Sequence, residues 1–133
     1  MPSILAVSDE PFELAEYRAA LGFQYPLTIA TNPAEALKIL HGEMGIDLLV
    51  CDYNLGQNQI NGIELVRQAN EIRGGIVAIV TTSHAAASLQ LQLDQVAKDG
   101  TQVILYDKNR GSQNLDEFIK KLFQQQQVDD RNL

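Results

Sequence analysis

The sequence predicts an α/β fold with a parallel five-stranded sheet and helices on both of its faces. Apolar runs without polar alternation, which are typical of strands buried on both faces, lie at residues 4–7, 46–51 and 76–80. Runs at residues 26–30 and 103–106 complete five strands, and a helical pattern follows each strand. Strict alternation predicts a parallel sheet, and right-handed crossovers bring every carboxyl end to one edge. We expect the strand order 2-1-3-4-5, which makes strands one and three neighbours.

The predicted helices begin and end at residues that suit helix termini. Pro11 fits the first turn of a helix, where its missing backbone N–H costs nothing. On this first helix we expect Leu14, Arg18 and Leu21 to share one face. The clearest amphipathic pattern belongs to the last helix and is formed by Leu115, Phe118, Ile119, Leu122 and Phe123.

Length and composition are those of one globular domain. The chain has 133 residues, of which 45% are hydrophobic, and we expect a domain at residues 1–126 with a polar tail at residues 127–133. The net charge of −7 weighs against direct binding of nucleic acid or of an anionic membrane, since both favour a surplus of Lys and Arg. The chain shows no membrane-spanning run and no signal peptide, and Met1 directly precedes the first strand, so we expect a cytoplasmic protein with a natural N-terminus. Cys51, the single cysteine, is predicted to be a core residue.

The predicted carboxyl edge of the sheet gathers polar side chains from four strands. They are Ser8 and Asp9 after strand one, Asp52 at the end of strand three, Thr82 after strand four and Lys108 after strand five. Asp9 and Asp52 should face each other, and two close carboxylates repel unless a proton or a cation lies between them. Mg²⁺ fits this position, because it is typically held by one or two carboxylates, water and a substrate phosphate.

These residues are suited to the transfer of a phosphoryl group to a carboxylate. Asp52 is a competent nucleophile towards phosphorus, while Asp9 with the metal, Thr82 and Lys108 would position the group and neutralise its charge. Simpler interpretations are that Asp9 caps the first helix, that Asp52 is a solvated strand end and that Lys108 is a surface charge. Thr81 could also take the place of Thr82, because both hydroxyls lie at the strand end.

The sequence resembles the receiver domain of bacterial two-component response regulators from residue 3 to about residue 123. The matching motifs are ILAVSDEP at 4–11, DLLVCD at 47–52, NGIEL at 61–65, TSH at 82–84 and Lys108. The resemblance implies a flavodoxin-like (βα)₅ fold and phosphorylation of Asp52 by a sensor histidine kinase or a histidine phosphotransfer protein. It also implies Mg²⁺ bound by Asp9, Asp52 and the backbone carbonyl of Asn54. Thr82 would turn inward on phosphorylation and change the binding of a downstream protein partner.

The chain departs from the usual receiver pattern at several positions. Ser8 stands where receivers usually have an acidic residue. It can hold a metal-bound water but adds no charge, which predicts weaker Mg²⁺ binding than an aspartate would give. The loop at residues 53–61 is longer than usual. Lys108 lies one residue later than expected, Asn109 replaces the usual proline, and Leu105 stands where receivers have an aromatic switch residue.

Three functions fit this pattern. The first is that of a single-domain receiver, which would act as a phosphorylated signalling domain and not as an enzyme. The second is a degenerate receiver that binds proteins without phosphate, which Ser8 and Asn109 suggest. Dependence of partner binding on Asp52 distinguishes these two. The third is a small haloacid-dehalogenase-like phosphatase. Asn54, where that group has a second aspartate two residues after the nucleophile, and the lack of a cap domain weigh against it.

Overall fold

The computed structural model describes residues 2–42, 45–83 and 87–131, and in it five strands alternate with five α-helices. The elements are β1 (Ile4–Val7), α1 (Pro11–Leu21), β2 (Leu27–Ala30), α2 (Pro33–His41), β3 (Leu48–Asp52), α3 (Gly62–Ile72), β4 (Val77–Thr82), α4 (Ala87–Ala97), β5 (Gln102–Asp107), a 3₁₀ turn (Lys108–Arg110) and α5 (Ser112–Arg131). All strands are parallel, in the order β2-β1-β3-β4-β5. The predicted fold class and strand order are confirmed.

Side chains alternate between the two faces of the sheet, and a separate apolar layer covers each face. On β3, Leu48 and Val50 pack towards α1 and α5, while Leu49 and Cys51 pack towards α2, α3 and α4. All four side chains are fully buried. Cys51 is therefore a core residue, as predicted, and burial raises the pKa of its thiol.

The face of α1 that meets the sheet differs from the prediction. Leu14, Tyr17 and Leu21 are buried, whereas Arg18 is exposed. The spacing of three and then four residues fits a helix as well as the predicted set does, because residues three and four apart share one helix face. Leu14 and Leu21 of the expected set therefore face the sheet, and Tyr17 rather than Arg18 is buried with them.

Two helix boundaries bear on earlier predictions. The fourth helix is described from Ala87 to Ala97, and His84 of the TSH motif lies outside the described residues. The last helix continues through residue 126 to Arg131, so the division between a domain and a tail at that point stays a prediction. Within the described ranges, every helix is too short or too polar to cross a membrane.

The α2 helix begins at a side-chain cap. Asn32 has an extended backbone, and its Oδ1 accepts a hydrogen bond from the Glu35 backbone N–H at 2.8 Å. We expect Asn32→Ala to lower the free energy of unfolding by about 1 kcal/mol, because this N–H would lose its partner. Chemical denaturation would measure the change, and Asn32→Asp, which keeps an acceptor, should lose much less. Equal losses in both variants would contradict the capping role.

Candidate functional site

Asp52 lies at the carboxyl end of β3, on the sheet face that α1 and α5 cover. It continues the alternation of Leu48 and Val50, and only 2% of its surface is exposed. Thr81 is its partner in the parallel ladder of β3 and β4 and is also buried. Ser8, directly after β1, is fully buried beside them. Period-two alternation thus explains why these polar groups meet on one face.

Both oxygens of the Asp52 carboxylate are engaged by neighbouring side chains. Oδ1 accepts hydrogen bonds from the Thr81 hydroxyl at 2.7 Å and from the Tyr17 phenol at 3.1 Å. The Lys108 ammonium lies 3.3 Å from the same oxygen. Oδ2 accepts a hydrogen bond from the Ser8 hydroxyl at 2.9 Å. The structure therefore brings together Ser8, Asp52 and Lys108 of the predicted set.

A second carboxylate, that of Glu13 on the first turn of α1, completes a closed ring around Asp52. Its Oε1 lies 2.5 Å from Lys108 Nζ, and its Oε2 lies 2.8 Å from Ser8 Oγ. The Ser8 hydroxyl has one proton but two carboxylate oxygens within hydrogen-bond distance. One extra proton on the carboxylate pair would satisfy both contacts.

Burial and the neighbouring carboxylate determine where that proton resides. Burial raises the pKa of Asp52 to about 6, and the hydrogen bond with Glu13 acts in the same direction. Burial also tends to raise the pKa of Glu13, but hydrogen bonds, chiefly with Asp52 and Lys108, outweigh it and hold the pKa below its usual value. Below about pH 6 the pair therefore carries its proton on Asp52, while Glu13 stays ionised beside the Lys108 ammonium.

The remaining predicted residues lie on the open side of the site. A Cβ added to Gly56 would lie 3.1 Å from Asp9 Oδ2, so the exposed Asp9 side chain rests against the loop at residues 53–61. In the same loop, Asn54 Oδ1 accepts a hydrogen bond from the Gly56 backbone N–H at 3.1 Å. Thr82 follows Thr81 on β4 and so points to the opposite sheet face. The hydroxyl at Asp52 is that of Thr81, and the predicted role of Thr82 stays a prediction.

Two cavities flank the site. An open cleft of about 600 Å³ is lined by the loop at residues 53–61 and, across from it, by Thr81, Thr82 and Lys108. A small cavity of about 60 Å³ lies on the α1 side, where Glu13 and Tyr17 contribute to its wall with Thr81 and Lys108. Thr81 and Lys108 line both spaces, so these two side chains stand between the cleft and the α1 helix.

The predicted magnesium ligands are oxygen donors, as this hard cation prefers. Asp9 and Asp52 offer carboxylates, and Asn54 offers a backbone carbonyl in the loop that the Asp9 side chain touches. Among the residues that the structure describes, no group of three Asp, Glu, His or Cys side chains is arranged to hold a metal. The predicted donors therefore suit Mg²⁺, and two of them, the carboxylates of Asp9 and Asp52, are anionic.

Comparison with known proteins adds a sequence relative. No family model matches the chain. The two-component response regulator PprB of Pseudomonas aeruginosa is 31% identical over 86 residues, which cover 62% of this chain and 30% of that protein. The chain thus spans less than a third of the length of this relative.

Solved structures match over nearly the whole chain. A response regulator receiver domain protein (CheY-like) from Methanospirillum hungatei is 25% identical, with a TM-score of 0.80 over 97% of this chain and 98% of that chain. The chain has a receiver fold. A response regulator protein from Burkholderia pseudomallei, solved with a phosphorylated aspartic acid, a calcium ion and citrate, is 23% identical, with a TM-score of 0.65 over 79% of this chain and 59% of that chain. The predicted resemblance to response regulator receivers is confirmed.

The aromatic residue after Leu105 faces the site side of the sheet. Leu105 packs towards α2, α3 and α4, whereas Tyr106 is buried against α1 and α5. The Tyr106 hydroxyl donates to the Gly111 carbonyl at 2.8 Å. The Arg110 guanidinium lies 5.3 Å from the Tyr106 ring centre and 5.8 Å from that of Phe118 on α5. The 3₁₀ turn is thus fixed to both β5 and α5.

Two residues beside Asp52, Glu13 and Tyr17, were not predicted. An acidic side chain in the first turn of a helix is common because it suits the helix dipole, and Glu13 has this ordinary explanation. Tyr17 lies three residues after the buried Leu14, and that spacing was the available signal. A phenol on an inward helix face needs a polar partner, which points towards the polar edge of the sheet.

Proposed function

We propose that this receiver accepts a phosphoryl group on Asp52 and thereby changes its binding to a protein partner. The observation that carries the proposal is the convergence of Thr81 and Lys108 on one oxygen of a buried carboxylate at the end of β3. A hydroxyl and an ammonium are the groups that neutralise phosphoryl oxygens in such a transfer. The raised pKa of about 6 leaves most Asp52 carboxylates ionised at pH 7 and able to attack.

The reaction is a displacement at phosphorus. An Asp52 oxygen forms the new O–P bond while the N–P bond to a phosphohistidine breaks, and the imidazole keeps the bonding electron pair. The donor would be a sensor histidine kinase or a histidine phosphotransfer protein. Asp9, Asp52 and the backbone carbonyl of Asn54 would hold Mg²⁺, with Ser8 contacting it through water. Bound Mg²⁺ supplies positive charge near the transferred group.

The receiver fold supports a signalling domain without turnover of an external substrate, and a downstream protein would read the phosphorylated state. The Burkholderia pseudomallei relative, with its phosphorylated aspartic acid and calcium ion, supports both the acceptor role of Asp52 and a divalent cation beside it. The predicted cytoplasmic location stays a prediction.

A second candidate function is protein binding that does not require phosphate. It is favoured by the enclosure of Asp52, which is 2% exposed and has both oxygens hydrogen-bonded. The Tyr17 phenol would have to leave Oδ1, or share it, when a phosphoryl group arrives. Partner binding that is the same in wild type and Asp52→Asn would support this second function.

Intact mass after incubation with Mg²⁺ and acetyl phosphate tests the first function. We expect one labile phosphoryl adduct on the wild type and on Asp94→Asn, a control at an exposed carboxylate. Asp52→Asn should give none, because an amide is not a competent nucleophile here. An adduct that persists in Asp52→Asn, or a folded wild type that gives none, would contradict phosphorylation at Asp52.

A further inference from the structure

We propose that Glu13 is a positioning residue that holds the Lys108 ammonium against Asp52. That Glu13 holds Lys108 in place is argued from the contacts of Glu13. The effect of Glu13 on phosphorylation rests on the function proposed above. Glu13 lies on α1 and Lys108 lies 95 positions later in the 3₁₀ turn, so the pair joins two distant parts of the chain at the site.

Glu13 is the closer of the two carboxylates around Lys108. Its Oε1 lies 2.5 Å from Lys108 Nζ, whereas Asp52 Oδ1 lies 3.3 Å away. The side chains of Glu13 and Lys108 are 23% and 33% exposed, so water screens their attraction less than it screens that of a surface pair. Glu13 therefore supplies the nearer of the two negative charges that Lys108 faces.

Lys108 needs such a partner, because its backbone position leaves a long side chain to be ordered. It begins the 3₁₀ turn that follows β5, and Asn109 rather than a proline comes next. The four-carbon stem of lysine loses considerable rotamer freedom when its ammonium is fixed. The 2.5 Å contact with Glu13, added to the 3.3 Å contact with Asp52, opposes that loss more than the second contact alone would.

Glu13 is itself fixed well enough to serve this purpose. Its Oε2 lies 2.8 Å from the Ser8 hydroxyl oxygen, which also lies 2.9 Å from Asp52 Oδ2. The Ser8 oxygen also accepts from the Glu10 backbone N–H at 3.1 Å. The ring from Asp52 through Ser8 and Glu13 to Lys108 therefore sets the direction of the glutamate before any phosphoryl group arrives.

Nuclear magnetic resonance of the lysine ammonium groups tests the placement without phosphorylation. In the wild type we expect the Lys108 Nζ group to have a high order parameter. In Glu13→Gln it should fall to the level of the exposed Lys38 and Lys98, which serve as internal references. Glu35→Gln is the matched control, because Glu35 is a first-turn acid of α2 whose side chain contacts Thr31. An order parameter unchanged in Glu13→Gln would overturn the proposal.

The rate of adduct formation with acetyl phosphate tests the consequence for the reaction. Glu13→Gln should slow the wild-type reaction by about tenfold, in the range of a lost positioning group. In a Lys108→Met background the same change should have no further effect, since Glu13 acts through Lys108. Losses that multiply in the double variant, or faster phosphorylation of Glu13→Gln, would overturn this consequence.

The two measurements separate the two proposals. A wild type without any adduct contradicts phosphorylation of Asp52, and the lysine measurement still decides whether Glu13 holds Lys108. If Glu13→Gln does not fold, Glu13→Asp keeps the charge on a side chain one methylene shorter. It should then show an intermediate order parameter at Lys108 and an intermediate rate, and wild-type values in both would contradict the positioning role.

Discussion

Gly62→Ala should lower the free energy of unfolding by about 3 kcal/mol or more, at the upper end of the usual cost of overpacking. A Cβ at this position would lie 2.2 Å from the Asp52 carbonyl oxygen and 2.9 Å from its carbonyl carbon. The Gly62 backbone N–H also donates to the Tyr53 carbonyl at 2.7 Å. Both contacts are with backbone atoms of β3 and the residue after it, so neither can be relieved by turning a side chain. The first turn of α3 would have to move away from the strand end.

Denaturant unfolding measures this loss, and a second glycine provides the control. A Cβ on Gly74, in the turn after α3, would meet no atom within 4 Å. We expect Gly74→Ala to change stability by less than about 0.5 kcal/mol, as most surface substitutions do. A similar effect of both alanines would mean that the close approach of Gly62 to Asp52 does not limit the packing of α3.

Asp52→Asn should stabilise the protein at pH 7 by up to about 3 kcal/mol. The pKa of Asp52 rises from 3.8 to about 6 on folding, and a shift of about two units corresponds to that free energy. An asparagine Oδ1 still accepts from Thr81 and Tyr17, and its amide can donate to Ser8. The Ser8 hydroxyl is then free to donate to Glu13, which removes the conflict over its single proton.

The raised pKa of Asp52 also predicts the direction in which the stability of the wild type changes with pH. Because the pKa of Asp52 is higher in the folded state, that state binds more protons between about pH 4 and pH 6, so wild-type stability should fall as pH rises through this range. The lowered pKa of Glu13 acts in the opposite direction, at pH values below about 4.5. Asp52→Asn should remove the fall, and the exposed Asp99→Asn should retain it. A wild-type stability that rises from pH 4 to 6 would contradict a proton held on Asp52.

The fold could be predicted from the sequence because its signals are local and repeated. Five apolar runs separated by helical patterns admit few topologies, and the handedness of crossovers reduces them further. The end of β3 at Asp52 was equally clear, since an ionised carboxylate does not continue into a core without a partner. The choice between Thr81 and Thr82 was not clear, because it depends on the length of β4. Once the strand includes both residues, alternation puts only the first beside Asp52.

The contributions of α1 to the site could not be predicted from strand ends. Glu13 and Tyr17 reach Asp52 from the side, so their positions depend on how α1 rotates against the sheet and on how far each side chain extends. The expected face contained Arg18 with Leu14 and Leu21, and Arg18 is exposed. Sequence spacing permits either rotation. The two rotations of α1 are distinguished by the burial of the Tyr17 ring, whose hydroxyl lies against Asp52 and Thr81. Because this is a tertiary contact, the sequence spacing of α1 does not reveal it.

The Arg110 guanidinium contacts the rings of both Tyr106 and Phe118, and this connects the 3₁₀ turn to β5 and α5. Lys108 and Arg110 lie two residues apart in the same 3₁₀ turn. The Lys108 ammonium at the site and the Arg110 guanidinium beside Phe118 of α5 are therefore joined by a short, stiff piece of backbone. Because side chains hold this turn at Lys108 and at Arg110, a displacement of one of these residues also moves the other. A shift of Lys108 would therefore also displace Arg110 and its contact with Phe118 on α5.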